Sequence, residues 1–263
     1  MPEEFSLGLT EVAVAVERAG LPPNWHPFEV PSVGLTVTEH AQATSAAWHA
    51  LRQRGLAGGD RLDLDVEDTL RAWTLPEVLI IVRAVEIEDE RRVFYRATTA
   101  NGLGVFSEHT TEGILFTQVR AERLVDMVVG MLPRYGPVPL AELVATGHGG
   151  RLTAGTAGPD FALENHVPDP GRPAPSQNRS NADALARFSA WPLHRHGTVE
   201  LSVRVGPGGL HAKGTVLFMD TDGGRFLTFT EQLSGGEVRH RFLPSDGSHL
   251  RRWLHESIAD ARR

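Results

Sequence analysis

Hydrophobic positions along this chain follow one arrangement that occurs twice. Four strand-like segments joined by short turns run into an amphipathic helix, first over about 77–132 and again over about 198–262. In the first copy, Val78 to Val82 is a continuous β-branched run, the pattern of a strand covered on both faces. Glu88-Asp89-Glu90 forms an acidic turn, and Arg92 to Thr98 returns. Asn101-Gly102 signals a tight hairpin, because both residues tolerate positive φ. Leu103 to Phe106 and Ile114 to Val119 complete the meander. A helix over 121–132 then places Leu124, Val125, Val128, Met131 and Leu132 on one stripe.

The second copy alternates cleanly from Thr198 to Val205, with Val199, Leu201, Val203 and Val205 on one face. Gly206 to Gly209 turns the chain. Strands follow over 215–220, 225–230 and 237–243. The last helix sets Leu250, Trp253, Leu254 and Ile258 at helical spacing, with Arg251, Arg252 and Arg262 outside.

Helical sequence precedes each copy. A strand over 5–9 leads into a helix over 11–19, and Pro27 to Val30 reads as extended. Thr36 and Glu39 have capping-box spacing and open a helix that Gly55 closes. A short helix spans 65–73. Pro139 to Val144 reads as a short helix, and Ser180 with Asp183 opens another that runs to Trp191. His148 to Ser180, rich in Gly, Pro, Ser and Asn, reads as a flexible connector. The expected organisation is one domain over 1–263, with halves 1–147 and 181–263 around the connector 148–180. The fold class is α+β: two strand-meander-plus-helix halves in quasi-twofold arrangement about a central antiparallel sheet. Such a sheet offers surface rather than a deep cleft.

Composition narrows the chemistry. A net charge of -7 argues against a general nucleic-acid binder, and zero cysteines exclude disulfides and thiolate metal sites. Met1-Pro2-Glu3-Glu4 lacks the basic and apolar stretches of a signal peptide, and no apolar run is long enough to cross a bilayer. The expectation is a soluble cytoplasmic protein with no membrane insertion. Lys213 is the only lysine, a bias that reads as base composition of the genome rather than a binding adaptation.

Candidate catalytic and cofactor motifs fail on inspection. His194-Arg195-His196 supplies two imidazoles, but zinc needs three or four ligands, and the stretch reads as a solvated helix-to-strand junction. Asp220, Asp222 and Glu231 match three calcium-loop positions, but Arg225 stands where the loop needs glycine and the flanks are strands. No phosphate-binding glycine loop, dinucleotide fingerprint or nucleophile elbow is present. No catalytic residue, cofactor or metal is therefore expected. Trp48, Trp73, Trp191 and Trp253 read as core, and Trp25, in a loop, as less clearly so.

Several stretches resemble the EspG family, cytosolic chaperones of type VII (ESX) secretion in actinobacteria. They are Phe5 to Glu11, Phe28-Glu29-Val30-Pro31-Ser32 with Thr36 to Glu39, and Ala47-Trp48 with Leu51 and Arg54-Gly55-Leu56. Leu75-Pro76-Glu77 and Gly224-Arg225-Phe226-Leu227 complete the set. The resemblance implies a non-enzymatic role: binding the helical tip of a PE–PPE heterodimer, or a similar helical hairpin substrate, and keeping it soluble for export. It places partner recognition on Glu88, Asp89, Glu90, Arg91 and Arg92, and on the last helix at Arg251, Trp253, Leu254 and Ile258. Two other readings stay open: a hydrolase built from loop histidines such as His109, His148 or His166, and a dimeric regulatory or ligand-binding protein that self-associates through its sheet.

Overall fold

The computed structural model describes residues 4–148, 187, 190–232 and 237–263. In chain order the elements are β1 (Glu4–Leu7), α1 (Leu9–Arg18), α2 (Val37–Gln53), β2 (Ala57–Gly58), β3 (Arg61–Leu62) and α3 (Leu64–Thr74). The first meander is β4 (Val78–Glu86), β5 (Arg91–Ala100), β6 (Leu103–Thr110) and β7 (Gly113–Arg120). A single 3₁₀ turn, Ala121–Arg123, leads into α4 (Leu124–Met131). Then come β8 (Leu143–His148), β9 (Leu193–Arg204), β10 (Leu210–Thr221), β11 (Gly224–Gln232), β12 (Glu237–Pro244) and α5 (Ser248–Ala261).

Ten strands form one sheet in the order β1-β7-β6-β5-β4-β9-β10-β11-β12-β8, and every neighbouring pair is antiparallel. The order is one unit used twice: a four-strand meander with an extra strand at its outer edge. The halves meet where β4 pairs β9, with Val78 opposite Val203 and Glu86 opposite Arg195. Because that pairing is antiparallel, equivalent hairpins point to opposite ends of the sheet. The β4–β5 turn lies at one end and the β9–β10 turn at the other.

Side-chain alternation then fixes the layers. Val78, Ile80, Val82 and Ala84 of β4, with Val199, Leu201 and Val203 of β9, face α4 and α5 and pack against Leu124, Val125, Val128, Leu250 and Leu254. On the opposite face, α1, α2 and α3 cover the first half over Phe5, Leu7, Val105, Ile114 and Phe116. Trp73 anchors that layer. It is fully buried, meets Phe116 edge-on at 5.2 Å, and donates to Ser107 Oγ at 2.9 Å.

Local chemistry explains the boundaries. Thr36 Oγ accepts from Glu39 N at 3.2 Å while Glu39 Oε2 accepts from Thr36 N at 3.0 Å, which fixes the start of α2. Asn101 and Gly102 take φ of 52° and 79°, the geometry of a two-residue hairpin. Arg96 is a surprise of the first half. It is fully buried, with its guanidinium donating to the carbonyls of Trp73 (2.6 Å) and His26. It thereby satisfies an orphan carbonyl at the negative end of α3. Burial lowers its pKa to about 9.

Several expectations are corrected. Pro27 to Val30 is not extended: Phe28 N bonds Trp25 O at 2.9 Å, and this turn buries Phe28 against Trp73. Trp25 is partly buried and packs on the same core. Leu143 and Val144 are not helical but belong to β8, which pairs β12 and so joins the edge of the second half. Long-range pairing overrides the local pattern there. His194, Arg195 and His196 lie inside β9 rather than at a junction. The expected helix through Trp191 has already bent away at Ala190 and Trp191, and its start at Ser180 lies outside the described residues, as does nearly all of the connector. The β2–β3 hairpin was not anticipated.

Candidate partner-binding surface

β4 and β5 carry a hairpin beyond the body of the sheet. Ile87 N donates to His194 O at 2.8 Å, the last backbone link to β9. The chain then turns through Glu88, Asp89 and Glu90, with Glu90 at φ 50°. Residues from Ile87 to Arg92 are all exposed. At the base, the Glu86 carboxylate accepts from Arg91 Nε at 2.9 Å and Nη2 at 2.6 Å, and also pairs Arg195. Partial burial pushes the Glu86 pKa up, but the hydrogen bonds and charges of Arg91 and Arg195 outweigh it and hold the carboxyl below its ordinary range. The same bond raises the pKa of Arg91. Arg91 is thus committed to the hairpin base. Glu88, Asp89, Glu90 and Arg92 make no ion pair with any described residue, although the charge of Asp89 adds to the raising of the Arg91 pKa, so the tip presents three carboxylates and one guanidinium free of ion pairs.

This end of the sheet is cross-linked by charge. Arg91, Glu86, Arg195, Asp220 and Arg225 are register neighbours across β5, β4, β9, β10 and β11, alternating in sign. The innermost pair is buried. Arg225 Nε and Nη2 donate to Asp220 at 2.5 and 2.9 Å, and Nη2 also reaches Pro133 O at 2.8 Å. Gly224, at φ 120°, must be glycine, because a Cβ would stand 2.5 Å from Gly136 O. The stretch Gly224-Arg225-Phe226-Leu227 is therefore a structural lock, with Phe226 and Leu227 both buried.

The last helix divides its candidate residues between core and surface. Leu254 is 0% exposed and belongs to the layer between α5 and the sheet, which corrects its assignment as a contact residue. Trp253 and Ile258 are partly buried against the same core, Trp253 edge-on to Phe229 at 6.2 Å. Arg251 is exposed and pairs Asp126 of α4 at 2.8 Å, tying the two helices together. Trp253 packs beside Gly214, which is in register with Leu201, six residues along β9 from Arg195. At roughly 3.3 Å per residue, the hairpin base and Trp253 are about 20 Å apart along the strand. The two groups are separate patches, not one compact site.

Sequence reasoning missed a third feature. A shallow pocket of about 380 Å³ beside the hairpin base is lined by Arg134, Tyr135, His194 and Asp222, with Gly223 and Gly224. His194 Nε2 lies 2.5 Å from Asp222 Oδ1. In sequence His194 and Asp222 belong to separate candidate motifs, and only the fold joins them. No group of three or more His, Asp or Glu suited to a metal occurs among the described residues. Thr221 Oγ, the nearby hydroxyl, donates to Gly224 O at 2.8 Å rather than to the imidazole. Of the histidines weighed for a hydrolase, His109 is exposed with its ring 6.4 Å from Phe28, while His166 and the His148 side chain lie outside the described residues.

The EspG family model matches residues 9–256. The chain belongs to the EspG family. In structure this EspG-family chain is similar to the Mycobacterium tuberculosis type VII secretion system chaperone EspG5, solved in complex with a PE25-PPE41 dimer. The TM-score is 0.61 at 9% sequence identity, covering 98% of this chain and 96% of that one. At that identity the likeness is one of fold. A comparison with curated proteins found no match in sequence. Among the described residues, no helix is long and apolar enough to cross a membrane.

Proposed function

We propose that this EspG-family chain is a cytosolic chaperone of type VII secretion. It binds the helical tip of a PE–PPE-type substrate, keeps it soluble before export, and acts by binding rather than catalysis. The observation that carries this reading is the acidic β4–β5 hairpin, clamped at its base by Glu86 with Arg91 and Arg195 and left without ion pairs at its tip, on a chain of the EspG fold. The hairpin and the exposed rim of α5 at Arg251 and Trp253 lie on separate patches, which suits an elongated helical client better than a small ligand. The whole chain, halves 1–147 and 181–263 with the connector 148–180, acts as one unit, because the β4–β9 seam runs through its centre.

Co-expression with PE–PPE pairs from the same genome tests the proposal, with a stable complex on gel filtration as the expected result. Reversing Glu88, Asp89 and Glu90 to lysine should weaken that complex by about tenfold or more, since exposed charges steer and register an interface. The thermal midpoint should not move. Failure with every pair rejects the function, and unchanged affinity of the triple variant rejects the hairpin's part in it.

A further inference from the structure

α2 outruns its neighbour. It has 17 residues to the 10 of α1, and the two are antiparallel: Arg54, just past the end of α2, bonds Glu11 near the start of α1, while His40 faces Glu17. Ahead of His40, the start of α2 therefore projects past α1, where Val37 is 89% exposed, as is Leu35 just before the helix at 95%. Where α1 stops, a cleft of about 300 Å³ opens, lined by Arg18, His40, Thr44, Trp48, His49 and Arg52. Arg18 sits over the Trp48 ring at 4.2 Å. Arg52 makes no ion pair with any described residue, although Arg54 beside it is bonded to Glu11. The carboxylate paired with this group is Glu17, 3.7 Å from His40 Nε2. In a chain of net charge -7 this is a local excess of positive charge.

The cleft is one end of a longer strip. Val37, Ala41, Thr44 and Arg52 follow one line of α2 spanning about 22 Å at 1.5 Å per residue, and at the Trp48 position of that line the indole is buried, 6% exposed, beneath Arg18. Small side chains at Ala41, Thr44 and Ser45 leave room for another helix to approach. The strip is apolar at Leu35 and Val37 and cationic at Arg18 and Arg52. A compact anion would use only the cationic end, and a membrane surface would want apolar exposure along the whole length. We infer that the α1–α2 cleft docks an acidic amphipathic helix of a protein partner, with apolar residues on Leu35 and Val37 and carboxylates on Arg18 and Arg52. This surface is distinct from the β4–β5 hairpin.

The test is fluorescence anisotropy on the full chain with a fluorescein-labelled 18-residue helical peptide. It carries leucines on one face of its first half and glutamates on the same face of its second half. Saturable binding is expected, weakened about tenfold or more by Arg52→Glu, by Leu35→Asp with Val37→Asp, and by replacing the peptide's glutamates with glutamine; added salt should weaken it too. Arg52 is exposed, so its variant should keep the wild-type melting temperature and keep client capture at the hairpin. No saturable binding, or equal binding of the glutamine peptide, overturns the inference. So does Arg52-dependent binding of inorganic phosphate or of phosphatidylglycerol vesicles in place of the peptide.

Discussion

Removing Arg225 should be among the most damaging single changes to this protein that leave the backbone alone. Its side chain is 2% exposed and that of Asp220 is 0%. The guanidinium holds both carboxylate oxygens and the Pro133 carbonyl, and lies 5.7 Å from the Tyr135 ring and 5.8 Å from Phe218. Arg225→Met keeps most of the volume but strands Asp220 as a buried charge, which costs about 3–5 kcal/mol. Against a typical domain stability of about 5–15 kcal/mol, that is a third or more of the total. Adding Asp220→Leu removes the stranded charge. The Pro133 carbonyl then remains as the unsatisfied group, worth about 1–3 kcal/mol. The double variant should therefore be more stable than Arg225→Met alone by about 2 kcal/mol, and far less destabilised than the two single variants summed. Urea unfolding at constant slope measures all four species. A loss below about 1 kcal/mol for Arg225→Met, or a double variant as unstable as the two singles added, refutes the argument.

Three further outcomes follow from the same structure. Leu254→Ala should cost about 2–5 kcal/mol by urea unfolding, whereas Arg251→Ala, which breaks an exposed pair, should cost no more than about 1 kcal/mol. Gly224→Ala should destabilise by about 2 kcal/mol or more, from a Cβ forced on Gly136 O at φ 120°, with thermal denaturation as the readout. Stability should fall on acidification from pH 6.5. Burial lowers the pKa of His196 and His240, and burial with the charge of Arg83 lowers that of His26, so the unfolded chain takes up protons first as pH drops below 6.5. Glu86 and Glu142 add a second loss below pH 4.5 as their lowered pKa values are crossed, and chemical denaturation across pH 4–7 checks both signs.

Features that rest on adjacent residues were legible in the sequence. The Thr36–Glu39 capping box, the Asn101-Gly102 hairpin, the β-branched start of β4 and the apolar stripe of α5 each carry their cause within a few positions. The doubled meander was legible for the same reason. What escaped depends on partners far away in sequence. β8 forms because β12 needs a neighbour, and nothing between Pro139 and Val144 announces that. Nothing in the Val93-Phe94-Tyr95-Arg96-Ala97 run of β5 marks Arg96 as buried, and the carbonyls of His26 and Trp73 draw it inside. His194 and Asp222 were both noticed, but only the β9–β10 pairing brings them together. At the candidate surface, the exposed turn at Glu88–Glu90 was readable. The clamp beneath it was not, because Glu86, Arg91 and Arg195 come from three strands.

The two halves also show why a doubled fold need not have a doubled function. β4 and β9 occupy equivalent places at the seam, and each ends in a charged residue, Glu86 and Arg204. Each of these reaches its own hairpin and the neighbouring strand's flank: Glu86 takes Arg91 and Arg195, while Arg204 donates to Gly208 O at 3.1 Å and Pro76 O at 3.2 Å. The structural task is the same, but the sign of the charge differs. A carboxylate at this position recruits guanidinium groups into the base of the hairpin and leaves the acidic tip beyond them unpaired. A guanidinium satisfies itself on backbone carbonyls and closes a glycine turn that carries no charge. The antiparallel seam then sends these two hairpins to opposite ends of the molecule. On the proposed reading, charge for recognition is available at the Glu88–Glu90 turn, whereas the residues of the Gly206–Gly209 turn carry none, so the chemical symmetry of the scaffold ends at the seam residue.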